Sequence, residues 1–356
     1  MWVGGRFGAV SEGSQAPRIS VVIVTYRQGE GVRATLDALA RELEAEDELI
    51  VVDNASGDST PDVVRAAAPE ARLVESETND GFPAACNRGA SEASGDLLVF
   101  LNPDAVPQPG WREAIAAPLA DGSGWTAWQA LVTQDSGRLV NTRGGVVHFT
   151  AVAWAGGAGD PVGSSAVDSS PGFASGACLA ISRAEFELLG GFADEFFLYH
   201  EDVDLSLRAL LAGGGIGVAA DARVDHEYEF DKGKAKWRHL ERNRWATLLR
   251  VYPAALLLLL TPALAATELA LIVVAIAGGW LPQKLGAWAD VVRSLPRLAR
   301  ERRAIQATAT IGAGEFAKHL EPELSSAFLG RAGRSRALGS LLGAYWRLVL
   351  RVLRAG

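Results

Sequence analysis

The stretch Ile19-Ser20-Val21-Val22-Ile23-Val24 decides the fold of this chain of 356 residues. Its nearly continuous run of β-branched residues is typical of a parallel strand that is buried on both faces. A polar turn over residues 25–31 follows, and after it a helix of about 15 residues is predicted from Val32, because leucines recur there at helical spacing.

Strands and helices continue to alternate beyond this point. Further strands are predicted at 48–52, 71–75 and 96–101, with helices between them. This alternation predicts an α/β fold with a doubly wound, mostly parallel sheet. Ligands bind such sheets beyond the carboxyl ends of the strands, so polar residues at those ends are candidates for the functional site.

The pattern loosens between residues 111 and 172, where Gly, Ser and Trp are frequent. The sequence predicts little regular structure there and a second ordered block from 175 to 228. Beyond residue 250 the composition changes completely. We therefore expect a flexible tail at residues 1–17, an α/β domain at 18–250 and a helical region at 251–356.

Two carboxylates directly follow predicted strands. Asp53 closes the strand at 48–52, and Asp104 lies in Asn102-Pro103-Asp104 after the strand at 96–101. Such a carboxylate either caps a turn or binds a polar ligand in the crevice. The proline stops the strand and restricts the backbone, which suits a rigid metal-binding turn. Mg²⁺ and Mn²⁺ prefer oxygen ligands and commonly bridge to phosphates, so a metal and phosphate site is favoured here.

Two further polar features follow along the chain. Glu201-Asp202-Val203-Asp204 precedes a leucine-rich helical stretch, and acidic capping of a helix accounts for one or two of its three carboxylates but hardly for all. His226 follows a short apolar piece, and a lone histidine is usually a surface or core residue.

The net charge of −8 is unevenly distributed. Residues 1–230 hold 14 Lys and Arg against 34 Asp and Glu, whereas residues 231–356 hold 20 against 8. The acidic half disfavours nucleic acid as a partner. The basic half favours anionic lipid. The two cysteines, Cys86 and Cys178, have no metal or redox spacing and are predicted to be buried and reduced.

The C-terminal part contains two stretches that are typical of membrane association. Residues 253–282 carry one charge, Glu268, and are long enough to span a bilayer. Pro262 and Gly278-Gly279 interrupt this stretch, and basic residues flank both ends, so both ends are expected on the cytoplasmic side. We prefer a re-entrant or interfacial hairpin; a single span and a soluble core helix are the alternatives.

The last stretch predicts a basic amphipathic helix on an anionic membrane surface. A helix packed against the protein or a partner is the alternative. Arginines surround its apolar residues, which are Leu338, Leu341, Leu342, Tyr345, Trp346, Val349 and Leu353.

In their order and spacing, these features resemble the family 2 glycosyltransferases, which have the GT-A fold. The resemblance runs from Ile19 to about Tyr252 and is closest to bacterial rhamnosyltransferase-like members. It implies a Rossmann-like, mostly parallel sheet flanked by helices and a site for a nucleotide sugar. The donor-binding residues that it implies are Thr25, Tyr26, Asp53, Asn54, Asn79, Gly81, Asn87, Asn102, Arg242 and Arg244.

The same resemblance implies a metal and a general base. Asn102-Pro103-Asp104 takes the place of the family's Asp-x-Asp motif, with Asn instead of its first Asp, so Asp104 becomes the main carboxylate ligand. His226 occupies the position where several relatives place a histidine on the metal, which is Mn²⁺ or Mg²⁺. In the catalytic pair Glu201-Asp202, Asp202 is implied to be the general base.

The function implied is that of an inverting, metal-dependent glycosyltransferase in cell-envelope glycan synthesis. Its donor would be a dTDP- or UDP-sugar, with rhamnose preferred. Its acceptor would be lipid-linked or a polysaccharide, at the cytoplasmic face of the cell membrane. A nucleotidyltransferase is one alternative, but residues 25–29 make a poor phosphate loop. A non-catalytic membrane-bound scaffold that keeps the fold is the other.

Overall fold

The computed structural model describes residues 16–164, 170–227, 233–324 and 336–355. Most of the predicted tail therefore lies outside the described residues. The strands are β1 (Ile19–Thr25), β2 (Glu48–Asp53), β3 (Arg72–Glu75), β4 (Leu97–Leu101), β5 (Val106–Pro107), β6 (Trp125–Gln134), β7 (Leu139–Thr142), β8 (Gly145–Val147), β9 (Ala153–Ala155), β10 (Cys178–Ser182) and β11 (Gly215–Asp225).

The helices alternate with the strands in the first half of the chain and dominate the end. They are α1 (Arg33–Glu42), α2 (Thr60–Ala67), α3 (Phe82–Ser91), α4 (Trp111–Ala120), α5 (Arg183–Leu189), α6 (Glu201–Leu211), α7 (Lys236–Val251), α8 (Ala254–Ala277), α9 (Leu281–Ala307), α10 (Ala313–Ala317) and α11 (Arg336–Ala355). The helix predicted from Val32 is shorter than expected, since a 3₁₀ turn precedes it and it ends at Glu42.

The main sheet has the order β3-β2-β1-β4-β10-β6-β11-β5, and β7 pairs with the C-terminal end of β6. β1 is parallel to both β2 and β4, with Val22 opposite Ile50 and Phe100. β10 is antiparallel to its two neighbours, whereas β11 is parallel to β6. The predicted α/β class with a mostly parallel sheet is therefore confirmed.

The sheet is buried on both faces, which explains the apolar run that opens it. Val22 belongs to one buried cluster with Cys86 of α3 and Leu207 of α6. Ile23, its neighbour along the strand, belongs to a second cluster with Leu36 of α1. Because alternate side chains point to opposite faces of a strand, a strand between two helical layers has to be apolar throughout.

The prediction of little regular structure between residues 111 and 172 is wrong. This stretch forms α4, the ten-residue strand β6 inside the sheet, and the hairpin of β8 and β9. Gln129 shows why the sequence is misleading. It is buried within β6, and its amide nitrogen donates to the carbonyl oxygens of Ala130 and Thr142, while its oxygen accepts from the Ser175 N–H. Tertiary contacts thus satisfy the hydrogen-bonding groups of a polar side chain that, judged from the local sequence, indicates a loop.

Helix α8 is continuous through Pro262, contrary to the interruption expected there. Its N-terminal half is anchored by Leu256, Leu260 and Leu264, which belong to the same buried cluster as the sheet. This packing on both sides of the proline maintains the helix although one backbone hydrogen bond is lost. The chain turns at Gly278-Gly279, as the sequence suggested, and continues as α9.

By its length and composition, helix α8 could cross a membrane. Of its most apolar 18-residue stretch, 11% is buried inside the protein. The large exposed side chains of its C-terminal half are Leu269, Val273, Val274 and Ile276.

The single charge of α8 lies in a buried ion cluster. Glu268 accepts hydrogen bonds from Arg244 of α7 and, at 2.9 Å, from Lys284 of α9. Lys284 also donates to Glu241 of α7 at 2.6 Å, and two indole N–H groups donate to Glu268. Two cations and two carboxylates thereby balance one another and join α7, α8 and α9.

Helix α11 forms as predicted, but much of its apolar side packs against the protein. Trp346 stacks on Phe149 with ring centroids 5.0 Å apart, Val349 is buried, and the Tyr345 hydroxyl donates to the carbonyl of Leu259. The packed alternative therefore holds for this side of the helix. The large apolar side chains that remain exposed on α11 are Leu341, Leu348 and Val352.

We expect Lys284→Ala to lower the free energy of unfolding by about 3–5 kcal/mol, because two buried carboxylates would lose their common cation. Chemical denaturation of the full chain measures this loss. Lys318→Ala is the control, since Lys318 is exposed and pairs with the exposed Glu315 in the same helical turn. A similar loss in both variants would show that the cluster contributes no more than a surface ion pair.

Candidate active site

Polar residues collect at one edge of the sheet because β1, β2, β4, β6 and β11 run in the same direction. Thr25 ends β1, Asp53 ends β2, Asn102 follows β4 and His226 follows β11. The carboxyl edge therefore brings together residues that are as much as 200 positions apart in the chain.

Asp53 organises the first part of this edge. Its Oδ1 accepts hydrogen bonds from the hydroxyls of Thr25, at 3.1 Å, and Ser56, at 2.5 Å, and its Oδ2 accepts from the Ser56 N–H at 3.0 Å. Tyr26 follows Thr25 with an exposed ring, and the Arg27 guanidinium lies 5.1 Å from the centre of that ring. The predicted residues Thr25, Tyr26 and Asp53 are thus adjacent, with an exposed aromatic face beside a buried carboxylate.

Asn54 and Asn79 shape the neighbouring loop through their side chains. The Asn54 amide donates to the Asn79 side-chain oxygen at 2.9 Å and to the Gly81 carbonyl at 3.2 Å. Gly81 has a φ of +90°, and a Cβ atom there would lie 2.5 Å from the backbone of Phe197. Only glycine therefore allows this loop to approach the segment that precedes α6.

Asn87 is bound through its side chain to the loop between α5 and α6. Its amide donates to the Phe192 carbonyl at 2.9 Å and to Asp194, and its oxygen accepts from the Phe192 N–H. All of these partners belong to the loop between α5 and α6. The arrangement does not support the prediction that Asn87 contacts the nucleotide; instead, Asn87 fixes that loop against α3.

The predicted metal ligands are brought into contact by a short strand. β5 pairs with the end of β11, with Val106 opposite Asp225. This pairing places Asp104 Oδ1 3.2 Å from His226 Nε2, and the Asn102 amide lies 3.5 Å from the same nitrogen. The His226 side chain is buried, at 4% exposure, whereas the Asp104 side chain is 49% exposed.

This pair fits a divalent cation. Two neighbouring ligands at about 2.1 Å from one ion lie about 3 Å apart, close to the separation seen here. A carboxylate oxygen with an imidazole nitrogen suits Mn²⁺, and the exposed side of Asp104 leaves room for phosphate oxygens. Within the described part of the chain, no group of three or more His, Cys, Asp or Glu side chains could hold a metal ion.

Asp202 lies in the first turn of α6. Its Oδ2 accepts from the Gly176 N–H at 3.0 Å. The next residue, Ala177, accepts a hydrogen bond from the Asn102 N–H at 3.0 Å. Residues 176–178, which lead into β10, thus connect the predicted base with Asn102-Pro103-Asp104.

The three carboxylates of residues 201–204 have different environments. Burial raises the pKa of Glu201 to about 8, and the charge of Asp202 adds to this shift. Burial also raises the pKa of Asp202, although the N–H groups of Gly176 and Val203 oppose the change. Burial alone would raise the pKa of Asp204 as well, but Arg250 and Arg208 lower it overall. Asp204 is therefore a structural anion, and Glu201 and Asp202 form a proton-binding pair.

The backbone before this pair is strained. Phe197, Tyr199 and His200 all have φ between 61° and 72°, a region that costs non-glycine residues on the order of 1–3 kcal/mol each. The Phe82 N–H donates to the Phe197 carbonyl at 2.7 Å, and the His200 ring pairs with the Ala151 carbonyl at 3.0 Å. Such a conformation persists only where its surroundings hold it in place.

Asn243 holds this segment and was missed in the sequence. Its fully buried amide nitrogen lies within hydrogen-bond distance of the carbonyls of Phe196, Leu198 and Tyr199, at 3.0, 3.0 and 2.7 Å. In the sequence, its one distinguishing feature is its position between Arg242 and Arg244, the two residues that were predicted to contact the donor.

The two arginines beside Asn243 have different surroundings. Arg244 is buried in the ion cluster with Glu241 and Glu268, so the structure does not support a contact with a diphosphate. Arg242 is partly buried, and its Nη2 donates to the Phe196 carbonyl at 2.6 Å. Its Nε contacts the side-chain oxygen of Asn243 at 2.9 Å.

Comparison with known proteins agrees with this geometry. Residues 20–154 match the sequence model of the family "Glycosyl transferase family 2". The N-acetylglucosaminyl-diphospho-decaprenol L-rhamnosyltransferase of Mycobacterium tuberculosis (strain ATCC 25618 / H37Rv) is 28% identical over 260 residues, which cover 65% of this chain and 83% of that protein. The resemblance to family 2 glycosyltransferases that the sequence indicated is therefore confirmed.

Solved structures share the fold. The mannosyltransferase PcManGT from Pyrobaculum calidifontis, in complex with GDP-Man and Mn²⁺, has a TM-score of 0.50 and 18% identity, covering 95% of this chain and 87% of that one. Residues 1–349 of S. aureus TarS, in complex with UDP, have a TM-score of 0.52 and 17% identity, covering 95% and 92%. At these identities the likeness shows the GT-A fold alone.

The raised pKa of Glu201 predicts a pH dependence of stability. The folded chain keeps a proton that the unfolded chain releases above a pKa of about 4.5, so the free energy of unfolding should fall as the pH rises from about 4.5 to about 8. The slope from this group is at most about 1.4 kcal/mol per pH unit. We expect Glu201→Gln to flatten the curve of stability against pH, and exposed Glu70→Gln to leave it unchanged. Parallel curves for wild type and Glu201→Gln would contradict a raised pKa of Glu201 in the folded chain.

Removing the Asn243 amide should misplace the catalytic pair. We expect Asn243→Ala to lower kcat by at least about tenfold, because small displacements of reacting groups are costly. It should also destabilise the fold by about 1–3 kcal/mol. Gln306→Ala is the matched control, since the Gln306 amide also donates to two backbone carbonyls, at the end of α7. Equal loss of kcat in both variants would refute a specific role for Asn243.

Proposed function

We propose a donor and an acceptor for this chain, which carries a glycosyltransferase family 2 domain and is a glycosyltransferase. It transfers a sugar from a nucleoside-diphosphate sugar to a hydroxyl group of a lipid-linked acceptor. The transfer inverts the configuration at the anomeric carbon. The observation that carries the proposal is the Asp104–His226 pair at the carboxyl edge of the sheet, which the backbone of Gly176 and Ala177 links to Asp202 at the start of α6. Rhamnose is the preferred sugar because of the rhamnosyltransferase relative.

The donor would lie over the ends of β1 and β2. The exposed ring of Tyr26 offers a surface on which a base stacks, and Asp53 retains acceptor capacity for a base or ribose N–H or O–H group. The loop of Asn79 and Gly81 then forms the side of the donor site nearest to α6. Asn102 would contact the donor near the metal pair.

Asp104 and His226 would hold Mn²⁺ or Mg²⁺, which supplies Lewis-acid stabilisation for the charge on the leaving diphosphate. His226 is fixed for this role by the hydrogen bond from its backbone N–H to the Thr133 carbonyl at 2.8 Å. Asp104 is fixed by the proline before it and by the β5 pairing after it.

Asp202 would act as the general base. It accepts the proton of the acceptor hydroxyl as the hydroxyl oxygen bonds to the anomeric carbon, and the bond from that carbon to the diphosphate oxygen breaks with its electrons going to the diphosphate. Burial raises the pKa of Glu201 to about 8, so that Glu201 would keep its proton at neutral pH and Asp202 would be the carboxyl group that takes the proton of the acceptor. One displacement inverts the anomeric configuration, and no second carboxylate nucleophile is required.

The lipid-linked acceptor and the membrane location have separate support. The Mycobacterium tuberculosis relative is named for an N-acetylglucosaminyl-diphospho-decaprenol substrate. The C-terminal half of α8 carries exposed apolar side chains, and its N-terminal half contacts the basic helix α11, a combination that suits an anionic membrane surface. Nucleotide sugars are made in the cytoplasm, so this placement would bring both substrates to the cytoplasmic face.

Donor binding by the detergent-purified full chain tests the proposal first. We expect one nucleotide sugar of a UDP-, dTDP- and GDP-sugar panel to bind with Mn²⁺ or Mg²⁺ and to be lost with EDTA, as measured by calorimetry. Asp104→Ala should weaken binding at least about tenfold, since it removes the main charged ligand. Asp160→Ala, at a surface ion pair, is the control. Absence of binding to every donor under every metal condition would refute the transferase and favour a non-catalytic scaffold.

Asp202→Asn separates binding from chemistry. We expect donor affinity within about twofold of wild type and kcat lower by about 10²–10⁴, the range that general bases contribute. Single-turnover assays with radiolabelled donor measure the second quantity. Retention of more than a tenth of wild-type kcat would show that Asp202 is not the base.

Membrane attachment can be tested with a matched pair of exposed leucines. Leu269 of α8 and Leu188 of α5 are 67% and 66% exposed. We expect Leu269→Asp to weaken co-sedimentation with vesicles containing phosphatidylglycerol at least about tenfold, because a charge replaces an inserted apolar group. Leu188→Asp should change nothing. If neither substitution affects binding, the α8 surface does not meet the bilayer.

A further inference from the structure

A cavity of about 520 Å³ opens between the start of α7 and α9 and is separate from the metal pair. Its walls are formed by Ala235, Arg238, His239, Arg242, Gln283 and Asp290. Arg238 and Asp290 form a bidentate ion pair at 2.7 and 2.9 Å, so their charges balance.

Arg242 has no such counter-ion. Its Nε and Nη2 atoms contact neutral oxygens of Asn243 and Phe196, and no carboxylate of the described residues lies at ion-pair distance from its guanidinium. Desolvation on partial burial lowers the pKa of Arg242, and the carboxylates of Asp290 and Glu195 oppose this shift only from beyond ion-pair distance. An anion in direct contact would reduce the cost of burying this charge. The His239 ring next to it stacks on Phe197 with centroids 5.3 Å apart. Its Nδ1 is buried and has no hydrogen-bond partner within the described part of the chain.

The cavity lies between the catalytic pair and the apolar helices. Towards the catalytic pair, Arg242 contacts the carbonyl of Phe196, in the same segment that Asn243 holds before Glu201. Towards α8, Trp237 stacks on Trp280 with centroids 4.8 Å apart, and Trp280 ends the turn from α8 into α9. The exposed apolar side of α8 leads into that turn. The cavity with its cation and the exposed apolar side of α8 together match a ligand with an anionic head and an apolar tail.

We propose that this cavity binds the diphosphate of the lipid-linked acceptor, with Arg242 as its main cation, while the lipid chain lies along the apolar side of α8. Bound in this way, the acceptor presents its sugar hydroxyl towards Asp202. The inference rests on the proposed function for the identity of the acceptor, and it assigns Arg242 to the acceptor rather than to the donor diphosphate.

Binding of farnesyl diphosphate to the detergent-purified full chain tests this assignment without requiring transfer. We expect Arg242→Gln to weaken binding about tenfold, as for the loss of a charge-assisted hydrogen bond, and Arg242→Lys to retain most of it. Arg303→Gln, which removes an exposed cation of α9, should have no effect. Farnesol, which lacks the diphosphate, should bind at least about tenfold more weakly than farnesyl diphosphate.

Competition identifies the source of the anion. Inorganic pyrophosphate should compete with farnesyl diphosphate, while the nucleotide sugar should not. Displacement by the nucleotide sugar would make the cavity part of the donor site and overturn the proposal. So would equal displacement by phosphatidylglycerol vesicles, equal affinity for farnesol, or no binding of farnesyl diphosphate.

Steady-state kinetics separate this proposal from the proposed function and from a structural role of Arg242. We expect Arg242→Gln to raise the acceptor KM about tenfold and to leave the donor Kd within about twofold. A purely structural role would lower kcat and leave the affinity for farnesyl diphosphate unchanged. Farnesyl diphosphate binding without any sugar transfer would refute the proposed function but not the cavity. Transfer with an unchanged acceptor KM in Arg242→Gln would refute the cavity alone.

Discussion

The contacts of the Asn243 amide nitrogen with the backbone carbonyls of Phe196, Leu198 and Tyr199 are the constraint on which the site depends. They fix the segment from Phe196 to Tyr199 in a conformation that this sequence would not adopt unaided. That segment sets the start of α6 and so the positions of Glu201 and Asp202. It also contacts Gly81 on the donor side. One buried amide thus connects helix α7, the predicted base and the predicted donor loop.

The distribution of cations follows from the same arrangement. Arg244, Arg250 and Arg208 are buried, and each pairs with a carboxylate of its own helix or of a neighbouring one. These residues stabilise the junction between the α/β domain and the C-terminal helices, because removing either partner would leave an isolated buried charge. Arg242 differs in contacting only neutral oxygens. Structural and ligand-binding cations can therefore be separated by their partners although they are adjacent in the chain.

The C-terminal helices are part of the protein core and also carry its most apolar surface. Leu256 and Leu260 of α8 share a buried cluster with the sheet, whereas the second half of the helix is largely exposed. Glu268 holds this second half to α7 and α9 through the ion cluster. A helix restrained on one side and apolar on the other suits attachment at the surface of a bilayer, with the site held at a fixed distance from it.

The sequence by itself determined the α/β class, the first strands and the carboxyl-edge residues Asp53, Asp104 and His226, because local periodicity and motif order encode them. It also placed the two terminal apolar stretches. The tertiary structure alone decided that β6 lies inside the sheet, that Arg244 and Asn87 serve the fold, and that Asn243 holds the segment before the catalytic pair. Each of these depends on partners more than ten positions away in the chain, and burial and hydrogen bonding at such separations leave no local pattern to read.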